Sequence, residues 1–189
     1  MKETDKYYDA PARLMAQLDA YEDPTFLAKV KDGKGPQRLR LATVFLLTIN
    51  RVPFFYSGNE YGFDYSQPDA LFDGKRDVAW LTWFKSLTNL RLKNAAFRRG
   101  AIHWLESTKT MVSYAREYEG ELFIVALNIS DTATQASITV PGGKGRSKAA
   151  DLLNPNAPTI AITAGKGKKA GSQLSVPLQP WEAKVLRVE

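Results

Sequence analysis

Two regimes of hydrophobic patterning meet near residue 100. Before it, short apolar runs alternate with longer stretches of helical spacing, which predicts alternating strands and helices. Residues 14–19 form a short candidate strand. After a glycine-containing turn at 31–35, Pro36 stands where a first helical residue is favoured, and Leu39, Ala42, Leu46 and Ile49 fall on one face of a buried helix. The continuous run Val52, Pro53, Phe54, Phe55 and Tyr56, ended by Ser57 and Gly58, predicts a parallel strand covered on both sides. A long loop follows, to about residue 78. Residues 80–94 then place Trp80, Trp83, Phe84, Leu87, Leu90 and Leu92 near a helical period, with Arg91 and Lys93 at the carboxyl end, where cations suit the helix dipole.

After Gly100, a natural helix stop, short β-rich runs separated by turn residues predict an antiparallel sandwich or Greek key. The expected strands are 111–118, 121–129, 136–140, 159–163, 173–177 and 182–188, with Glu119-Gly120 as a hairpin turn. Two domains are therefore expected, residues 1–100 and 101–189.

Composition narrows the chemistry. Hydrophobic residues make up 44% of the 189, enough for a core. The excess of 26 Lys and Arg over 20 Asp and Glu gives +6, but the densest basic runs, 144–148 and 166–169, mix with glycine and lack interleaved aromatics. They read as solvated loops, so no nucleic-acid partner is expected. With no cysteine and one histidine, disulfides, thiolate metal sites and multi-histidine sites are excluded. Residues 1–8 are charged and form no signal peptide, and no run approaches membrane-spanning length, so a cytoplasmic location is expected if Met1 is the true start.

Several segments, in order, resemble the α-amylase family of glycoside hydrolases. The run Val52 through Tyr56, then Ser57-Gly58-Asn59-Glu60, resembles the eighth barrel strand, with Asn59 in place of an acidic residue. Trp83-Phe84-Lys85-Ser86-Leu87 through Arg91, then Asn94 to Gly100, is similar to the final helix and its exit. Ser113-Tyr114-Ala115-Arg116-Glu117 and Ile124 to Ser130 resemble the first long hairpin of the family's β domain, and Leu178-Gln179-Pro180-Trp181-Glu182-Ala183 its closing strand. The motif after barrel strand seven corresponds to Leu18-Asp19-Ala20-Tyr21-Glu22-Asp23-Pro24-Thr25-Phe26.

That resemblance implies an α/β plus all-β chain: the last two β/α units of a (β/α)8 barrel, then an antiparallel Greek-key β-sandwich. It puts Glu22 where the family has the Asp that orients sugar hydroxyls and supports the transition state, and Tyr21 where it has histidine. Glu22 is the catalytic candidate; Tyr21, Asp19 and Glu60 are the substrate-binding candidates. A retaining glycosidase needs a carboxylate nucleophile and an acid/base carboxyl roughly 5 Å apart. The resemblance assigns both to earlier barrel strands, before residue 1, so the chain is expected to be a truncated, by itself inactive relative of enzymes that act on α-1,4-glucans such as starch and maltodextrin. The alternative is a non-catalytic glucan-binding or assembly module, which the altered motif at 20–22 favours.

Other residues have plainer readings. Asp23 before Pro24 suits a turn or helix entry, and Glu60 either lines a sugar subsite or bonds to loop backbone. His103 lacks an oriented partner for hydroxyl activation and is expected to be partly buried on a strand. Tyr114, Tyr118 and Trp104 are candidates for an accessory glucan platform with core packing as the default, and Trp80, Trp83 and Trp181 are expected in the core. Asp64, Asp69, Asp73 and Asp77 are too scattered to specify calcium, and no cofactor is predicted. Two barrel strands alone leave unpaired edges, so the β domain, self-association into a homo-oligomer, or a missing barrel half supplied by another chain is expected to cover them.

Overall fold

The computed structural model describes residues 4–20, 24–62, 77–165 and 171–189. The chain divides into two compact units, Met1–Arg99 and Gly100–Glu189.

The first unit is built on a short parallel pair, β1 (Met15–Ala16) and β2 (Val52–Pro53), with Met15 opposite Val52 and Ala16 opposite Pro53. Parallel strands need a crossover, and α1 (Phe26–Lys29) with α2 (Gly35–Thr48) supplies it. The Thr25 hydroxyl caps α1 by accepting from Ala28 N at 3.1 Å. Pro36 sits in the first turn of α2, whose buried face includes Leu39, Val44, Leu46 and Leu47. Thr43 and Thr48 are buried too, and their hydroxyls donate back to Leu39 O (2.7 Å) and Val44 O (2.6 Å), so neither hydroxyl is stranded.

α3 (Val78–Lys93) and α4 (Ala95–Arg99) complete the unit. α3 begins two residues earlier than its apolar period suggests because the Asp77 carboxylate caps it, accepting from Trp80 N at 2.8 Å. Arg91 donates to Leu47 O (2.8 Å), Ile49 O (3.2 Å) and Arg51 O (2.6 Å). One guanidinium thus satisfies carbonyls at and beyond the end of α2 and ties α3 to it.

The expected doubly covered strand at 52–56 is corrected. The strand spans only Val52 and Pro53, with Phe54 N still donating to Ala16 O at 2.9 Å, and the run alternates: Phe55 packs edge-on against Phe84 of α3 at 5.0 Å, while Val52 and Phe54 are 48% and 39% exposed. Met15, the cross-strand partner of Val52, is also exposed. Val52 N and Phe54 N donate to Leu14 O and Ala16 O of the first strand's segment, so the nitrogen of Pro53, which carries no hydrogen, faces the other side of the strand, and among the described residues neither strand has a second neighbour. Leu92 is likewise exposed rather than on the packed face of α3.

The second unit is antiparallel throughout. Its strands are β3 (Ala101–Ser107), β4 (Met111–Tyr118), β5 (Glu121–Asn128), β6 (Thr134–Thr139), β7 (Lys148–Asp151), β8 (Ile160–Thr163), β9 (Gln173–Leu178) and β10 (Ala183–Val188). They run in the order β3-β4-β5-β10-β7-β8-β9-β6. Glu119 and Gly120 both have positive φ (49° and 82°), as the tight β4–β5 hairpin requires. β8 pairs with β7 on one side and β9 on the other, so the sheet folds over and its halves share one core. Ala115, Ile124, Ala126 and Leu186 meet Ala136, Ile138, Leu174 and Val176 there. The alternation of buried Leu174, Val176 and Leu178 along β9 marks its inward face.

Two strands escape the sequence pattern. In β3 the register shifts between Trp104 and Glu106, which breaks the period of two. β7 is a short, alanine-centred strand that begins at the last residue of what reads as a solvated basic run, 144–148. Arg146 there is not simply solvated: it donates to Val188 O and Gly120 O, both at 2.8 Å. The second basic run, 166–169, lies outside the described residues. Among those described, no helix is long and apolar enough to cross a membrane.

Candidate functional site

Because β1 and β2 are parallel, the segments leaving their carboxyl ends emerge on the same side. Asp19 follows β1 and Asn59 follows β2, and the two side chains meet. Asp19 is 4% exposed; its Oδ1 accepts from Phe26 N at 2.6 Å and its Oδ2 from Asn59 Nδ2 at 3.0 Å. Asn59 turns its amide oxygen to Tyr56 N (2.9 Å), while its backbone carbonyl accepts from Trp80 Nε1 at 3.1 Å. Residues forty apart in sequence are thereby fixed together, and the start of α3 is fixed to them.

The loop after β2 is tightly specified. Gly58 and Gly62 adopt φ of 98° and 70°, and a Cβ on Gly62 would stand 2.8 Å from the Trp80 ring. Glu60 Oε2 accepts from Gly58 N at 2.9 Å, the backbone role that was one of its two readings. Trp80 is buried and meets Trp83 edge-on at 5.1 Å, and the Arg40 guanidinium lies 5.1 and 4.7 Å from the two rings. Trp83 and Trp181 are only partly buried.

Tyr21, Glu22 and Asp23 lie outside the described residues, as do Asp64, Asp69 and Asp73. Of the described residues on either side, Asp19 accepts from Phe26 N and Thr25 caps α1. Asn59 anchors Asp19, and sequence reasoning registered it only as a departure from the family's acidic residue. The signal was there in its chemistry: an amide can donate to Asp19, whereas an ionised carboxylate cannot.

In the second unit, His103 is more exposed than expected, half exposed on β3, with Nε2 3.6 Å from Glu117 Oε2. The Trp104 ring packs at 5.2 Å on Tyr114, which is fully buried, so this pair is packing rather than an open platform. Arg116 is fully buried and donates to Gly100 O at 2.9 Å and Ala101 O at 3.3 Å. Burial pushes the Asp151 carboxyl above its ordinary 3.8, against the opposing pull of its bond from Leu153 N and of Lys184.

No family model matches the chain. Alpha-amylase 2 of Dictyoglomus thermophilum is 25% identical over 142 residues, covering 67% of this chain and 24% of its own length. Cyclomaltodextrinase of Thermoanaerobacter pseudethanolicus is 28% identical over 132 residues, covering 66% of this chain and 23% of its own. The amino acid transporter heavy chain SLC3A2 of Oryctolagus cuniculus is 26% identical over 183 residues, covering 79% and 33%. The chain therefore spans about a quarter to a third of the length of these relatives. Among solved structures, the alpha-amylase from Geobacillus thermoleovorans, complexed with acarbose, matches 100% of this chain with 41% of its own, at a TM-score of 0.80 and 21% identity. That likeness is one of fold.

Proposed function

We propose that this chain, the counterpart of the carboxy-terminal part of an α-amylase-family glycoside hydrolase, contributes to cleavage or transfer of α-1,4-glucans as one portion of a larger catalytic unit. The observation that carries this reading is the Asp19–Asn59 bond, which joins the carboxyl ends of two parallel strands where a (β/α)8 barrel gathers its active site. On this reading the first unit is the last two β/α units of such a barrel, and the second is its Greek-key β domain. Glu22 and Tyr21 then face the sugar beside the cleaved bond, with Asp19 and Glu60 shaping the loops that hold them. The nucleophile and the acid/base carboxyl reside on polypeptide outside these 189 residues. The exposed side chains of Met15, Val52 and Phe54 support this, because further barrel strands, on the same or another chain, would cover them. The names of two relatives, an alpha-amylase and a cyclomaltodextrinase, support the substrate class.

A second reading, a module that keeps the scaffold without the chemistry, is favoured by Tyr21 and Glu22 in the altered motif and by the similarity to a transporter heavy chain. Calorimetry with maltodextrins beside a reducing-sugar assay separates the two once the remaining barrel strands are supplied. Sugar release supports the hydrolase; binding without release supports the module. Sedimentation of the chain as a stable, compact monomer would argue against covering by self-association or by a second chain.

A further inference from the structure

In the folded-over sheet of the second unit, the two outermost strands, β3 and β6, come to the same place. Between them lies a cleft of about 240 Å³ lined by Trp104, Leu105, Glu106, Ser113, Ser137, Ile138 and Thr139. The register shift after Trp104 leaves Leu105 as an extra residue and puts Glu106 across from Ser113; bulges commonly re-aim side chains in this way beside binding sites. Ser113 is fully buried on β4, yet its hydroxyl has no hydrogen-bond partner among the described residues. Native folds leave few such groups unmatched, and each calls for an explanation.

The lining selects the occupant. No Lys or Arg borders the cleft, while Glu106 does, so an anion is disfavoured. Serine and threonine hydroxyls both donate and accept, and a carboxylate accepts from neighbouring hydroxyls; Thr139 Oγ1 already accepts from Gln173 Nε2 at 2.9 Å. Leu105, partly buried against the core that holds Ile138, adds a small apolar surface for the C–H face of a ring. The volume falls below the roughly 300 to 1,000 Å³ of clefts for drug-sized ligands, which limits the fit to a single ring.

We propose that this cleft is a sugar-binding site that takes one pyranose ring, the terminal residue of an α-glucan. Ser113 bonds a ring hydroxyl at its floor and Glu106 accepts from hydroxyls at its mouth. The choice of a glucan rests on the proposed function of the chain; the cleft itself does not.

The test is an NMR titration of the full chain with maltose, repeated on Ser113→Ala and Glu106→Gln. The expected result is shift changes concentrated at 104–106, 113 and 137–139, with each variant weakening binding about tenfold. Glu106 is partly exposed, so Glu106→Gln remains informative even if Ser113→Ala folds poorly. Absence of maltose binding, binding unaffected by both variants, or shifts confined to residues 18–26 and 56–60 would each overturn the proposal. If maltose fails to bind here but glucans are cleaved once the missing strands are added, the cleft fails and the proposed function stands. If maltose binds at the cleft but no mixture cleaves glucans, the cleft stands and the proposed function fails.

Discussion

Replacing Asn59 by alanine removes two partly buried hydrogen bonds, one to Asp19 Oδ2 at 3.0 Å and one from Tyr56 N at 2.9 Å. The loss is unequal between them. Tyr56 N forfeits an ordinary bond worth about 1 kcal/mol, whereas Asp19, buried and left short of a donor, bears a desolvation cost of roughly 1–3 kcal/mol. The sum, about 2–4 kcal/mol, is a large part of the 5–15 kcal/mol typical of a domain. Asn59→Asp goes further by setting a second carboxylate against Asp19. Its penalty should exceed that of alanine at neutral pH, because two like charges would then face each other across a partly buried contact. Urea unfolding followed by tryptophan fluorescence reads both variants, because Trp80 hangs from the Asn59 carbonyl. A cycle with Asp19→Ala should give a coupling of roughly 0.5–3 kcal/mol. If Asn59→Ala lies within about 0.5 kcal/mol of the parent, or if the two substitutions are additive, the bond does not organise the site.

The remaining expectations are simpler. Arg91→Lys, which cannot fork to three carbonyls, should destabilise the first unit by about 2–4 kcal/mol in the same unfolding assay. Gly62→Ala, strained in backbone and pressed on the Trp80 ring, should cost clearly more than Gly120→Ala, where φ is also positive but nothing lies within 4 Å; the latter should cost about 1–2 kcal/mol by thermal melt. The folded-state pKa of Asp151 is raised, so its favourable contribution is complete below the ordinary 3.8 and is lost as pH rises through the folded value. Asp151→Asn, which keeps an acceptor for Leu153 N, should therefore gain stability relative to the parent between acid and neutral pH, and a flat difference across denaturation curves at several pH values would contradict this.

The sequence is most legible where one periodicity governs a segment. β4 begins and ends at the expected residues, because a hairpin turn at Glu119-Gly120 and a buried core face fix its register. α2 and α3 follow from their spacing, displaced only where a cap such as Asp77 sets the boundary. β3 and β7 were hidden for opposite reasons: a bulge disrupts alternation in one, and alanines give the other little intrinsic strand preference. The run 52–56 misled because an apolar run implies cover by other strands and layers, yet one face here is open. At the candidate site, the family motif singles out Asp19 and Glu60 as substrate-binding candidates, and the structure shows them bonded to Phe26 N, Asn59 and Gly58 N. For Asn59 the sequence shows an amide able to donate but not its acceptor, because the bond joins residues forty apart.

Reducing-sugar release from soluble starch tests the central claim most directly, measured for the purified 189-residue chain alone and then together with a polypeptide supplying the first six strands of an α-amylase barrel. The account predicts no release from the chain alone, release from the combination, and a marked loss of that release with Glu22→Gln. Starch cleavage by the chain alone, or an assembled complex that releases nothing, would contradict it.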